Sequence, residues 1–249
     1  MYDKIFEFCS IKNKGTARLN GVDPTPRVEW ICDFLTQLNI EHQVDTFQID
    51  NLTLGFNIIL PGTSKIAVTA HHDIVNPISD NANDNSASVI NAIAIKLNQP
   101  DTTVILLDAE EIGGFGAHAI ASKINQGELG PIEMVLNLEL TGAGGSKFFI
   151  DNHPGQLSDR IQALFSCPTI TTPFNDAVIF RRLGIDSVVI NPLPVLREGT
   201  SQVKWEDTYL DFDLLYNCHT IKDSIDTVSP IEMREFVEQV CLPILRFKN

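Results

Sequence analysis

Three runs of this chain, KIAVTA at 65–70, TTVILLDA at 102–109 and EMVLNLEL at 133–140, are largely apolar at successive positions rather than at alternate ones. A strand with one wet face alternates, so runs of this kind belong to strands covered on both faces, the condition of a parallel sheet. Between them the spacing becomes helical: Val89, Ile93 and Leu97 stand four apart, and Ala117, Ile120, Ala121 and Ile124 share one face. A further run, DSVVIN at 186–191, repeats the strand pattern. Alternating strands and helices predict an α/β fold of three layers, a mostly parallel mixed central sheet covered by helices on both faces.

The flanking segments are equally readable. Val28, Ile31, Cys32, Leu35 and Leu38 recur at helical spacing behind Thr25 as N-cap and Pro26 in the first turn. HQVDTFQ at 42–48 and LTLGFNIIL at 52–60 read as an antiparallel hairpin turning at Ile49–Asn51. Near the C-terminus, Ser229-Pro230-Ile231-Glu232 forms a capping box ahead of Met233, Phe236, Val237, Val240, Cys241 and Ile244, and Pro243 is expected to kink or fray the last turn.

The chain has 249 residues, 43% of them hydrophobic, which suits one sizeable core, and residues 1–249 are expected to form a single domain. Breaker-rich stretches at 74–85, 141–146 and 191–204 are too short for interdomain linkers. A net charge of −14 argues against nucleic-acid and anionic-membrane surfaces, which would repel it. No stretch reaches the roughly 18 apolar residues of a membrane span and MYDKIFEFCSIKNKG has no signal-peptide core, so a cytoplasmic protein is expected. Five cysteines, without any CxxC spacing, read as small buried hydrophobes rather than disulfides or thiolate ligands. Oligomeric state is not legible.

Polar chemistry resumes where the apolar runs end. AHHD lies at 70–73, NDNSAS at 83–88, AEEIGGFG at 109–116, NLELTG at 137–142 and CHTIKD at 218–223. In open α/β sheets the ligand crevice lies outside the carboxyl ends of the strands, and His71, the pair Glu110-Glu111 and Glu139 all fall at such ends. His71 is a metal-ligand type, and Asp73, two residues on, can hold its other ring nitrogen. Asp84 lies just before a helix that Asn85 or Ser86 could cap; its two oxygens could instead bridge two cations, with Asp80 as a competing candidate. Adjacent Glu110 and Glu111 would repel each other unless positive charge or a shared proton lies between them; one can ligate while the other accepts a proton from water. Glu139 precedes TGAGG, and His219 sits between an apolar stretch and the last helix. Nitrogen and oxygen donors without thiolate suit zinc, with manganese or cobalt also acceptable. His42, His72, His118 and His153 read as structural or solvent-facing, and nothing places Arg181, Arg182 or Arg197 against a substrate carboxylate.

From about residue 55 onward the chain resembles the co-catalytic zinc aminopeptidases of metallopeptidase family twenty-eight, a group that also contains glutamate carboxypeptidase and, as an offshoot, glutaminyl cyclase. That family's pattern, AHxD, ANDNGSG, AEExGLxGS, NxDMxG and HTPxDT, meets AHHD, ANDNSAS, AEEIGGFGA, NLELTG and HTIKDS here, in order. The resemblance implies that His71, Asp84 and Glu139 bind one zinc and Asp84, Glu111 and His219 a second, that Glu110 is the general base, and that Asp73 orients His71. It implies a metal-dependent exopeptidase, an aminopeptidase acting on a peptide or small amide. Thirteen residues from His71 to Asp84 and eighty from Glu139 to His219 leave no room for the inserted domains of some relatives. The chain departs from the pattern in three respects: Glu139 replaces an aspartate, Ala177 in NDAVIF stands where a histidine is usual, and Ser86 and Ser88 replace glycines, read as a packing detail. Two other functions fit the resemblance: a glutaminyl cyclase-like acyltransferase, whose members tend to carry tryptophan where Cys218 stands, and a non-catalytic binding domain.

Overall fold

The computed structural model describes residues 1–11, 23–75, 78–172, 174–192, 202–205, 208–211 and 217–247. Among these, eight strands form one sheet: β1 (Gln43–Asp50), β2 (Thr53–Leu60), β3 (Ile66–His71), β4 (Thr103–Leu107), β5 (Met134–Leu138), β6 (Phe148–Asp151), β7 (Thr169–Ile170) and β8 (Asp186–Pro192). Their spatial order is β1-β2-β4-β3-β5-β8-β6-β7. The strands β4, β3, β5 and β8 run parallel. The β1–β2 hairpin joins β4 antiparallel, and β6 joins β8 antiparallel, so the sheet is mixed around a parallel centre. Two further strands, β9 (Gln202–Trp205) and β10 (Thr208–Asp211), pair separately.

Every residue of β3, β4 and β5 is buried, as double coverage requires. Their side chains divide by parity between two cores. Ile66, Val68, Ala70, Val104, Leu106, Leu136 and Leu138 pack in one, with the helices α1 (Lys4–Ser10), α2 (Pro26–Gln37), α3 (Ala87–Asn98), α5 (Gln156–Phe165) and α7 (Pro230–Phe236). Ala67, Ile105, Leu107 and Val135 face the other, with α4 (Phe115–Asn125) and α6 (Asp176–Arg182). This is the expected three-layer arrangement.

Three local details go beyond the sequence pattern. Leu97, in register with Val89 and Ile93, is 41% exposed. Helix α3 is instead buried on all sides from Ala87 to Ile95, because strands lie beneath it and α1 and α7 above it. The capping box is half formed: Ser229 Oγ accepts Glu232 N–H at 3.3 Å, but the Glu232 carboxylate accepts Gly144 N–H at 2.7 Å instead of returning to Ser229. Finally, of the kink or fraying expected at Pro243, fraying does not occur. A wide turn over Val237–Cys241 precedes it, and the helix resumes as α8 (Leu242–Arg246) with proline in its first turn, where no N–H is needed. All five cysteines are free, and no helix among the described residues is long and apolar enough to cross a membrane.

Candidate metal centre

Because β3, β4 and β5 are parallel, their carboxyl ends share one edge, and the helices following β3 and β4 lie on opposite faces of the sheet, which opens a crevice there. His71 is the last residue of β3, Glu110 and Glu111 turn away just beyond β4, and Glu139 directly follows β5. Asp84 enters from the segment joining β3 to α3, and His219 from the segment preceding α7. Ser86 stands at the N-cap position of α3, but its side chain makes no cap hydrogen bond. The backbone of Asp84 and Asn85 departs from helical geometry, and the Asp84–Asn85 peptide is cis. Asp80 is not at the centre: its Oδ2 accepts Ile225 N–H at 2.9 Å.

Asp84 divides its carboxylate between two histidines. Oδ1 lies 3.3 Å from His71 Nε2, and Oδ2 lies 3.1 Å from His219 Nε2. Glu139 Oε2 is 3.5 Å from the same His71 nitrogen, and Glu111 Oε2 is 3.1 Å from that of His219. Two donor triads, His71–Asp84–Glu139 and Asp84–Glu111–His219, therefore share Asp84, and a third grouping joins His71, Glu110 and Glu111. Zinc bonds of about 2.0–2.2 Å in a tetrahedral arrangement set ligand atoms roughly 3.3–3.6 Å apart, close to the spacings observed here. Imidazole nitrogen with carboxylate oxygen is also a zinc donor set.

The crevice holds protons firmly. Burial pushes Glu110 up to about 10 and Glu111 up to about 7. Hydrogen bonds that His219 donates to the Asp84 and Glu111 carboxylates raise its pKa to about 10. Burial works against a charged His71, but Glu139, Asp73 and Asp84 together outweigh it and keep the imidazole well above its usual range. The same histidines hold Asp84 below the ordinary carboxylate range despite its burial. A cation placed among these groups would relieve the crowding of negative charge.

Supporting contacts fix the ligands. Asp73 lies 3.4 Å from His71 Nδ1, which makes no hydrogen bond, and accepts the backbone N–H groups of Glu110 and Glu111 at 3.2 and 3.1 Å. It therefore ties β3 to the glutamate turn. Glu139 is held at both oxygens, by Asn137 Nδ2 at 3.0 Å and Asn85 Nδ2 at 2.9 Å. Ser86 and Ser88 are more than packing details: Ser86 Oγ donates to Asn81 O and accepts from Arg27, and Ser88 Oγ meets Thr141 Oγ1 at 2.9 Å.

Sequence reasoning passed over several residues. Asp223 stood inside the CHTIKD motif without a role; burial pushes it up to about 6, and its carboxylate takes the backbone N–H groups of Asn83 and Asp84. Asn85 and Asn137 lie inside the NDNSAS and NLELTG motifs without a supporting role assigned to them, and Arg27 carries no local signal. Asp176, at the start of α6, is fully buried with neither carboxylate oxygen hydrogen-bonded, and burial drives it well above its usual range. Gly114, at φ +68°, lets α6 approach closely: a Cβ there would stand 2.0 Å from Ile179 Cδ1 and 3.4 Å from Asp176 Oδ1. The residues given bland readings keep them. His72 is buried with Nε2 2.9 Å from Phe56 O, His42 Nδ1 lies 3.0 Å from Ile40 O, and His118 is exposed on α4. Arg181 pairs with Asp151, Arg182 is exposed, and Arg197 lies outside the described residues.

Residues 58–242 match the model of peptidase family M28. A vacuolar membrane protease of Lachancea thermotolerans is 26% identical over 205 residues, covering 79% of this chain and 20% of the relative. LapB from Legionella pneumophila superposes with a TM-score of 0.73 at 15% identity, over 98% of this chain and 69% of that one. A glutaminyl cyclase from Porphyromonas gingivalis gives 0.68 at 19% identity, over 98% and 95%. BSAP, a zinc aminopeptidase from Bacillus subtilis, gives 0.58 at 21% identity, over 78% and 50%. The chain thus spans a fifth of the Lachancea thermotolerans protease's length and half of the Bacillus subtilis enzyme's.

Proposed function

The chain belongs to peptidase family M28, and on that premise we propose that it is a metal-dependent exopeptidase, an aminopeptidase that releases N-terminal residues from peptides or small amides with two zinc ions. The observation that carries this reading is the division of Asp84 between His71 and His219, each imidazole completing a triad with its own glutamate. The reading takes residues 1–249 as one catalytic unit without an inserted lid.

His71, Asp84 and Glu139 would hold one ion and Asp84, Glu111 and His219 the other. When bound, such ions make water a stronger acid and polarise a carbonyl oxygen. The chain's own residues do the rest. Glu110, beside both triads but absent from them, takes the proton of the attacking water and delivers it to the departing amine. Nearby divalent charge favours the carboxylate form that a base requires, offsetting the burial that otherwise keeps Glu110 protonated. Asp73 holds the turn carrying Glu110 at a fixed distance from His71.

A second reading, a glutaminyl cyclase-like acyltransferase, draws on the near-equal lengths of this chain and the Porphyromonas gingivalis protein. We rank it below peptidase activity because His71 and Glu139 complete a second donor triad around Asp84. Metal analysis and hydrolysis of aminoacyl reporter substrates test the choice. Two zinc ions per chain, with activity lost to a chelator and restored by zinc, support the aminopeptidase; one ion, with cyclisation of N-terminal glutamine and no hydrolysis, would overturn it.

A further inference from the structure

Arg27 is fully buried and lies outside the residues matched by the family model. It stands in the first turn of α2, just behind Thr25 and Pro26, and its guanidinium lies over the Phe8 ring, 3.8 Å from the centroid. Nε donates to the His72 carbonyl at 2.8 Å and Nη2 to Ser86 Oγ at 2.8 Å. Nη1 is buried without a hydrogen-bond partner.

The two acceptors belong to the two segments that present His71 and Asp84. His72 follows His71, and its own N–H is already committed to Leu107 O at 2.8 Å. Ser86 lies two residues after Asp84, and its hydroxyl proton goes to Asn81 O at 2.6 Å, which closes the 81–86 turn on itself. The rigid guanidinium fork can reach both segments at once, which a lysine's single ammonium on a flexible stem cannot do with the same geometry. A glycine at position 86, the residue in the family's pattern, would offer no side-chain acceptor. Burying a guanidinium with one nitrogen unpaired is costly.

We infer that Arg27 is a positioning residue of the metal centre: through the His72 carbonyl and the Ser86 hydroxyl it sets the separation of His71 from Asp84, and so the affinity for zinc. This inference rests on the metallopeptidase reading of the same centre.

The test compares zinc affinity, by competition with a chromophoric chelator, in the full metal-free chain and in its variants Ser86→Ala, Arg27→Lys and Val28→Ala. Ser86→Ala removes one acceptor and leaves the guanidinium bound to His72, so the comparison survives if Arg27→Lys does not fold. Ser86→Ala and Arg27→Lys are each expected to weaken zinc about 10-fold or more, the loss typical of removing a group that supports a ligand. The double variant should lose little beyond either single one, because both break the same link. The absorption bands of bound cobalt should shift in both. Val28→Ala, a core truncation in the same helix, should lower the Tm while leaving affinity and bands unchanged. Wild-type affinity in Ser86→Ala and Arg27→Lys, or an equal loss in Val28→Ala, would overturn the inference. A wild type that binds no zinc would overturn it together with the metallopeptidase reading. Because affinity is what is measured, the comparison is decided even if the wild type cleaves no aminoacyl substrate, a result that removes the peptidase reading alone.

Discussion

The carboxylate of Asp223 accepts the backbone N–H of Asp84 at 3.0 Å through one oxygen and that of Asn83 at 2.8 Å through the other. The segment bearing His219 is thereby tied to the segment bearing the shared ligand. In Asp223→Asn one of these oxygens becomes an NH2 group facing an N–H donor. An unsatisfied buried donor costs about 1–3 kcal/mol, which for a chain of this size lowers the Tm by several degrees. Thermal denaturation of the metal-free protein checks this; an unchanged midpoint would remove Asp223 from the support of Asp84.

Glu110→Gln is expected to lower kcat by about 10²–10⁴-fold, the range for loss of a positioned general base. Metal content should stay at the wild-type value, because Glu110 belongs to neither triad that shares Asp84. Parallel kinetics and metal analysis separate the possibilities. Loss of an ion along with activity would reassign Glu110 as a ligand, as the grouping of His71, Glu110 and Glu111 would allow.

Zinc uptake at pH 7 is expected to release protons. His219, raised to about 10, is protonated in the metal-free protein, whereas a metal takes the neutral imidazole. Calorimetric titration in buffers of different ionisation enthalpy counts the protons directly. The same shifts give a stability profile with a definite sign. A group whose folded pKa is raised contributes stability below its unfolded pKa and loses that contribution as pH rises through the folded one. Glu111, moved from 4.5 to about 7, and His219, moved from 6.5 to about 10, act in the same direction. The metal-free protein should therefore lose thermal stability progressively between pH 4.5 and 10, and saturating zinc should lessen the decline. A midpoint that rises with pH over this window contradicts the assignment.

Glu139→Asp shortens a side chain gripped at both oxygens by Asn137 and Asn85. The shorter carboxylate cannot keep these two contacts and its place beside His71. One zinc ion should weaken about 10-fold, while the ion assigned to Asp84, Glu111 and His219 keeps its affinity. Stepwise metal titration resolves the two; equal weakening of both ions, or of neither, would exclude Glu139 from the first triad.

The sheet and the chemistry along its edge were legible residue by residue. Burial of a strand depends on its own residues, so the apolar runs ending at His71, at Glu110 and at Glu139 disclosed both the doubly covered centre and the point where polar groups emerge. The donor types, nitrogen and oxygen without thiolate, were equally local. Tertiary structure decided the partners. Asp80 and Asp84 share one polar segment and look equivalent in sequence, yet one binds Ile225 N–H and the other faces two histidines. Glu232 returns to its own cap in the local pattern and reaches Gly144 in the fold. Arg27 bonds 45 and 59 residues away, and Asp223 reaches back 139 residues to Asp84. Hydrogen bonds act only within about 3 Å. Which distant segments come that close depends on strand order and on how helices pack over the sheet, neither of which any single stretch of residues encodes.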